Sequence, residues 1–122
     1  MATIIHSQNF SLTEAIRAHV DHRISVSLKR FGDRISMVEV FIKDLNGPDK
    51  HGEDLKVVIR IQVRGAGRVV VFSTSDDLYV AISEAARRSK RAVKRNLGRQ
   101  QRIERQKLRH LSFESPSGLA NA

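Results

Sequence analysis

The chain has 122 residues and no cysteine, which suits a single domain and excludes both disulfides and thiolate metal sites. Twenty-two Lys and Arg against thirteen Asp and Glu give a formal net charge of +9, which is unlike an ordinary enzyme surface and favours a polyanionic partner. The first ten residues lack the features of a secretory signal, and no stretch approaches the ~20 apolar residues of a membrane span. We therefore expect a soluble cytoplasmic protein that starts near Met1.

The N-terminal part predicts a strand followed by an amphipathic helix. Residues 2–7 alternate isoleucine with polar neighbours, which is typical of a short strand. Ser11, followed three residues later by Glu14, has the spacing of a capping box, so a helix is expected from there to about Phe31, with Gly32 as its stop. On a helical wheel, one side is apolar and the opposite side is basic. The apolar side holds Ile16, Val20, Ile24, Leu28 and Phe31, and the basic side holds His19, His22, Arg23, Lys29 and Arg30.

Three further strands follow in the middle of the chain. Residues 34–44 alternate, with Val38, Val40 and Ile42 on one face, and residues 46–54 have the composition of a loop. Residues 55–63 alternate without a break, which makes them the clearest strand of the sequence. Gly65-Ala66-Gly67 is short enough to turn the chain into a hairpin, whose partner strand covers residues 68–75.

A second helix is predicted from about Asp77 toward Leu97, with Ser75 or Asp76 as its cap. One arc of this helix is apolar and the opposite half is basic. The apolar arc holds Leu78, Ile82, Ala85, Ala86, Ala92 and Val93, and the basic half holds Arg87, Arg88, Lys90, Arg91, Lys94 and Arg95. Gly98 either ends the helix or weakens it, and we expect residues 99–111 to be partly disordered and the remaining tail to be mobile.

The element order is therefore β-α-β-β-β-α, which predicts an α+β fold with a four-stranded sheet and two helices packed on one face. If both apolar arcs face the sheet, the two basic arcs point outward together and form one positive surface. Residues 1–98 would form the binding domain, and residues 99–122 would form a basic extension and a flexible C-terminal tail.

The basic surface is the strongest indication of function. Eleven basic residues and one acid, Glu104, lie between Arg87 and Arg109, and residues 87–103 contain no acid for i,i+4 ion pairs. The like charges therefore repel unless a partner supplies the counter-charge, and arginine suits bidentate contacts to phosphate. With no Trp, one Tyr and no RNA-recognition sheet motif, recognition should depend on phosphate position and RNA shape. The predicted RNA-binding residues are Arg23, Lys29, Arg30, Arg87, Arg88, Lys90, Arg91, Lys94, Arg95 and Arg99.

Metal and catalytic motifs have little support. His19 and His22 lie one helical turn apart, but no third ligand and no HExxH spacing accompany them. The phosphate-binding, nucleophile-elbow and dinucleotide-binding glycine motifs are absent from the sequence. We therefore expect neither an enzyme nor a protein that takes a metal, a cofactor or a small-molecule substrate.

The segment DLYVAISEA (residues 77–85) resembles the D-[ML]-Y-x-A-I signature of the ribosome hibernation factors, the hibernation-promoting factor and ribosome-associated inhibitor A group. Residues 11–24 resemble the first helix of that family, so the resemblance covers about residues 2–100. It implies a β-α-β-β-β-α domain in the channel between the head and body of the small ribosomal subunit. There it would overlap the mRNA and the A- and P-site tRNAs and silence translation when growth slows.

The resemblance also assigns roles to individual residues. The family's basic first-helix position falls on Arg23, and those of its second helix fall on Arg88, Arg91 and Arg95. Asp77 matches the signature, as does Tyr79, and these two residues are expected to orient the helix start rather than touch RNA.

The sequence departs from the family pattern at Ala85 and Ser89, where larger apolar residues are usual, which predicts a shallower contact between helix and sheet. The resemblance further implies a monomer when free, without the C-terminal domain by which long forms of the family pair ribosomes. Two other functions stay open from the residues alone: a general RNA- or DNA-binding module, and an adaptor that docks on an acidic protein.

Overall fold

The computed structural model describes residues 2–8, 11–45 and 55–114, with side chains as far as residue 109. The elements are β1 (Ala2–Gln8), α1 (Glu14–Leu28), a 3-10 segment (Lys29–Arg34), β2 (Ile35–Asp44), β3 (Leu55–Val63), β4 (Gly67–Ser75) and α2 (Leu78–Glu114). This order confirms the predicted β-α-β-β-β-α arrangement and the α+β class. The predicted loop at residues 46–54 and the tail at residues 115–122 lie outside the described residues.

The four strands form one mixed sheet in the order β1-β2-β3-β4. β1 is parallel to β2, and the other two pairings are antiparallel. A row of inward-facing side chains crosses the sheet where Ile5 lies opposite Val40, Val40 opposite Ile59, and Ile59 opposite Val71. Because side chains alternate along a strand, this register places one apolar face of the sheet toward the helices.

Both helices contribute their apolar sides to a single core on that face. α2 packs over β3 and β4, and α1 packs alongside α2. The core joins Ile16, Val20, Ile24 and Leu28 of α1 and Ala81, Ile82, Ala85, Ala86 and Val93 of α2 to the inward residues of the strands. The predicted apolar arcs are therefore confirmed, except that Phe31 lies in the 3-10 segment and, like Leu78 and Ala92, is only partly buried against the core. Each fully buried Ile, Leu or Val contributes roughly 1.5–3 kcal/mol to stability.

The helices run in the same direction, opposite to β1 and β4. Near the far end of the packed part of α2, the Asn96 amide donates to the carbonyl of Ala66 in the β3–β4 turn at 3.0 Å. α1 connects the end of β1 to the start of β2, which is parallel to β1, so α1 must also run back along the sheet. The His19 ring of α1 meets the Tyr79 ring of α2 edge-on at 4.7 Å, which places the beginnings of the two helices side by side.

The ends of α1 differ from the prediction. Thr13, rather than Ser11, caps the helix, because its Oγ1 accepts a hydrogen bond from the backbone N–H of Ile16 at 3.2 Å. The helix ends at Leu28 instead of Phe31, and the chain continues in the 3-10 segment. Gly32 has φ +53 within that segment, a left-handed conformation that breaks any longer helix.

α2 also begins and ends elsewhere than predicted. Asp77 is its cap, because the carboxylate accepts hydrogen bonds from the backbone N–H of Tyr79 at 2.9 Å and of Val80 at 3.4 Å. The predicted caps, Ser75 and Asp76, do not bind these two N–H groups. The helix passes through Gly98 and reaches Glu114, so the prediction that residues 99–111 are partly disordered is wrong. One glycine costs a helix only about 1 kcal/mol, and the Arg, Gln, Lys and Leu residues that follow are good helix formers.

Candidate nucleic-acid interface

The continuous course of α2 aligns five arginines on one side of the helix. They recur at intervals of three and four residues, which place side chains above one another on a helix surface. At 1.5 Å per residue, the first and the last lie about 21 Å apart. These side chains are exposed and are called here the arginine stripe: Arg88, Arg91, Arg95, Arg99 and Arg102.

The arginine stripe borders the outer edge of β4, which pairs with β3 and with no other strand of the described residues. Two adjoining recesses lie between the stripe and this edge, with volumes of about 400 and 320 Å³. The first is lined by Val70, Val71, Phe72, Arg88, Arg91 and Arg95. The second is lined by Arg68, Val69, Val70, Ala92, Arg95 and Arg99. Guanidinium groups thus face an edge strand across a groove large enough to admit a small ligand.

One guanidinium of the stripe is fixed by the sheet. Nη1 of Arg88 donates to the backbone carbonyl of Phe72 at 2.6 Å. A carbonyl does not neutralise the charge, and a guanidinium has five N–H donors, so Arg88 retains both charge and donors for a phosphate. The hydrogen bond restricts the side chain before any ligand arrives, which lowers the entropy that binding must remove.

The other flank of α2 faces α1. His19 lies within 3.4 Å of the Ser83 hydroxyl, and it contacts Tyr79 on the same flank. Lys90 follows Tyr79 by eleven residues, about three helical turns, and therefore lies further along the same flank. Lys94 occupies the next turn, and Arg23 lies one turn beyond His19 on α1. Arg23, Lys90 and Lys94 therefore border the junction between the helices. Arg23 is half-buried, and its Nε has no hydrogen-bond partner among the described residues.

The predicted cations are almost free of internal carboxylates. Of the ten predicted RNA-binding residues, one forms an ion pair within residues 2–8, 11–45 and 55–109: Arg87, with Glu84 at 3.6 Å. The pair is exposed and spans one helical turn, so it contributes at most a few tenths of a kcal/mol. The positive charge of α2 is therefore available to an external anion.

Two predicted residues lie apart from the helical surface. Lys29 and Arg30 belong to the 3-10 segment and are exposed. The segment leads into β2, whose first residue lies opposite Val63 at the end of β3. Lys29 and Arg30 therefore lie toward the hairpin end of the domain, rather than on the basic side of α1 where the sequence placed them.

The structure adds two basic residues that were not predicted. Arg68 lines the second recess together with Arg95 and Arg99, and Arg102 extends the stripe by one turn. Arg68 begins an edge strand, and no sequence pattern shows which helix will cover that edge. The three-residue spacing from Arg99 to Arg102 is typical of two side chains on one side of a helix. It was missed because the helix was predicted to end before it.

The assembled groups can hold phosphates. Guanidinium and ammonium donors, spread over α2 and the edge of β4, match a chain of phosphates better than a single small anion. Among the side chains that the structure describes, no three His, Asp or Glu residues gather as a metal site would require. In the same part of the chain, no helix is long and apolar enough to span a membrane.

Comparison with known proteins gives a family and several solved structures of similar fold. A family model described as sigma 54 modulation protein / S30EA ribosomal protein matches residues 3–101. The crystal structure of the N-terminal domain of Thermus thermophilus Protein Y is 28% identical, covers 76% of this chain and 93% of its own, and superposes with a TM-score of 0.61. A ribosomal subunit interface protein from Coxiella burnetii has a TM-score of 0.63 at 16% identity, over 80% of this chain and 99% of its own, which shows a shared fold. No curated protein sequence matches significantly.

Proposed function

This chain belongs to the sigma 54 modulation protein / S30EA ribosomal protein family, a family of ribosome-associated proteins, and we propose that it is a ribosome hibernation factor that inhibits translation. It binds the small ribosomal subunit through the subunit's rRNA and occludes the mRNA and tRNA sites. It acts in the cytoplasm as a monomer, under stress or in stationary phase, when growth slows.

The observation that carries this proposal is the arginine stripe on α2. Its side chains are exposed, and the ion pairs of the described residues leave all five without a carboxylate. In a domain of net charge +9, such a surface has a strongly positive potential, and binding to phosphates releases the counterions of the RNA. Phosphate contacts fix position and orientation without reading bases, which is what a protein that blocks a channel requires.

The proposed contacts cover the helical surface and its surroundings. Arg23, Arg88, Arg91 and Arg95 are the positions that the family resemblance assigns to rRNA. The remaining proposed contacts are Lys29, Arg30, Arg87, Lys90, Lys94 and Arg99, to which the structure adds Arg68 and Arg102. Inhibition follows from occupancy alone, because a folded domain in the decoding channel excludes mRNA and tRNA without any chemical step.

Competition on isolated small subunits tests this proposal. Subunits are loaded with labelled mRNA and P-site tRNA, the protein is added in increasing amounts, and the bound label is counted after filter retention. We expect both labels to be displaced by the native chain and retained when Arg91 is replaced by glutamate together with Arg88 and Arg95. Simultaneous binding of the protein, mRNA and tRNA to one subunit would contradict occlusion.

A naked RNA duplex, added at equal phosphate concentration, provides the matching specificity control. A hibernation factor prefers the small subunit, because the shape of the channel adds contacts that an isolated duplex lacks. Equal affinity for the small subunit and the duplex, at equal phosphate concentration, would indicate a general RNA- or DNA-binding module instead.

A further inference from the structure

The ring of Phe72 is exposed at the edge of the sheet that the arginine stripe borders. Phe72 lies on the outward side of β4, opposite Val58, and is 54% exposed. It lines the first recess together with Arg88, Arg91 and Arg95. Leaving a phenyl ring in water is unfavourable by up to a few kcal/mol relative to burial, so its exposure next to three cations suggests a ligand that supplies both an apolar ring and a negative charge.

The charges around Phe72 define that ligand further. Nζ of Lys56 lies 4.8 Å from the centroid of the Phe72 ring and adds a fourth cation near it. None of the residues that line the two recesses is acidic. A protein segment would have to be both acidic and aromatic to match this surface, whereas every nucleotide of an RNA strand carries a flat base and a phosphate.

We propose that the first recess binds an unpaired nucleotide of single-stranded RNA. The base stacks on Phe72, and the adjacent phosphates lie between Arg91 and Arg95, while the hydrogen bond from Arg88 to the Phe72 carbonyl holds the two sides of the recess together. The next nucleotide of the strand follows the β4 edge into the second recess, which shares Val70 and Arg95 with the first. The inference rests on the proposed RNA-binding function and adds to it a preference for unpaired RNA.

The second phenyl ring on this face of the sheet already has a ring stacked on it and serves as a matched control. The His6 ring stacks on Phe41 at 4.6 Å with an interplanar angle of 12°. The Arg60 guanidinium lies 5.0 Å from the centroid of the same ring. Phe41 therefore has the same side chain on the same face of the sheet and a similar cation contact, but its ring already stacks on an imidazole.

Fluorescence gives a direct test because the chain contains no tryptophan. In a Phe72→Trp variant, the single indole reports on stacking, and we expect saturable quenching by octa-adenylate. Polyphosphate at the same phosphate concentration should compete for the arginines without quenching, since it has no bases. A Phe41→Trp variant should show no saturable quenching with either polyanion. Equal quenching by polyphosphate and octa-adenylate at position 72 would overturn the inference.

Affinity measurements provide a second test that does not depend on a reporter. Stacking on an aromatic side chain contributes about 1–3 kcal/mol per base, so Phe72→Leu should weaken octa-adenylate binding by about 5- to 140-fold. Phe41→Leu should change it less than about twofold, and the affinity of Phe72→Leu for an RNA duplex of equal length should be unchanged. Equal losses for duplex and single strand would contradict base stacking, as would no loss at all.

The outcomes separate this inference from the function on which it rests. If octa-adenylate binding depends on Phe72 but the protein does not bind small subunits, the stacking site stands and the proposed function fails. If the protein binds small subunits and Phe72→Leu changes the affinity for neither octa-adenylate nor the RNA duplex, the proposed function stands and the stacking site fails. If an acidic peptide binds as tightly as octa-adenylate and is equally weakened by Phe72→Leu, the recess is a protein site and the inference is wrong.

Discussion

The carboxylate of Asp77 fixes where α2 begins, and with it the position of every cation that follows. Asp77 accepts hydrogen bonds from two backbone N–H groups that have no partner within the helix. Tyr79, the other matching position of the family signature, packs against His19 at the start of the helix pair. The two residues of the signature that were expected to orient the helix start therefore both act on the start of α2.

Replacement of Asp77 by alanine should lower the free energy of unfolding by about 1 kcal/mol, since loss of an N-cap typically costs 0.5–2 kcal/mol. Urea unfolding, followed by circular dichroism, measures the change. Asp76→Ala is the matched control, because within the described residues Asp76 accepts a single long hydrogen bond, of 3.5 Å from the Ser75 hydroxyl. We expect it to change stability by less than about 0.5 kcal/mol. RNA affinity of the folded Asp77 variant should equal that of the native chain. A loss of affinity without a loss of stability would mean that Asp77 touches RNA.

Small buried residues determine how α2 meets the sheet. Ala81, Ala85, Ala86 and Ser89 are fully buried, and the Ser89 hydroxyl donates to the carbonyl of Ala86 at 2.6 Å. The sequence predicted a shallower contact from the small residues at positions 85 and 89. Both side chains are fully buried, so they lie within the contact between α2 and the sheet.

At the scale of the elements, the two helices differ from the strands in how far the sequence determined them. Strand residues such as Val38, Val57 and Ile59 alternate strictly, and a slip of one position would expose every one of them, so their positions were predictable. Helix ends depend on which of several adjacent polar residues forms the cap. Ser11 and Thr13 both qualify by residue type, and only the packed structure selects Thr13.

The functional site, like the helices, was predictable from the sequence only in part. The basic side of α2 follows from its periodicity, but the groove between that side and β4 depends on tertiary packing. Neither the position of Arg68 in the groove nor the exposure of Phe72 has a signature in the sequence. The expectation that recognition depends on phosphate position and RNA shape came from the scarcity of Trp and Tyr and from the missing RNA-recognition sheet motif. The recess at Phe72 supports a different proposal.

Gly98 weakens the extension of α2 beyond the core, because glycine is a poor helix former. Gly98 lies within the helix, and a Cβ at this position would meet only the Arg102 guanidinium, at 3.9 Å. Gly98→Ala should therefore strengthen the helix by about 0.5–1 kcal/mol and slow amide hydrogen exchange in residues 99–109 several-fold. Gly67→Ala is the matched control of opposite sign, because Gly67 has φ +81 and an alanine there is strained. Unchanged exchange in Gly98→Ala would contradict the role given to Gly98.

At the scale of the whole molecule, the charge is distributed unevenly over the surface. Glu39 on the open face of the sheet lies 3.5 Å from both His6 and Arg60, which moderates the positive charge there. α2 has one described ion pair, between Arg87 and Glu84, and its other described cations lie along the β4 edge, at the junction with α1 or exposed on the helix surface. The domain therefore presents its positive potential on the side of α2, so orientation on a polyanion follows from the charge distribution.

The central claim is that the position of the arginine stripe, rather than the net charge, drives binding to the small subunit. Co-sedimentation with small subunits, after replacement of Arg88, Arg91 and Arg95 by glutamate, tests it directly. The control replaces Arg17, Arg64 and Lys107, which are exposed outside the stripe, by glutamate. Each replacement removes two charges, so both triple variants fall from +9 to +3.

Hydrogen bonds to charged groups contribute about 1.5–3 kcal/mol each, so loss of three should weaken binding by about 1,000-fold or more. We expect the stripe variant to remain at the top of the gradient while the control variant sediments with the subunits. Equal loss in both variants, or sedimentation of the stripe variant with the small subunits, would contradict the claim.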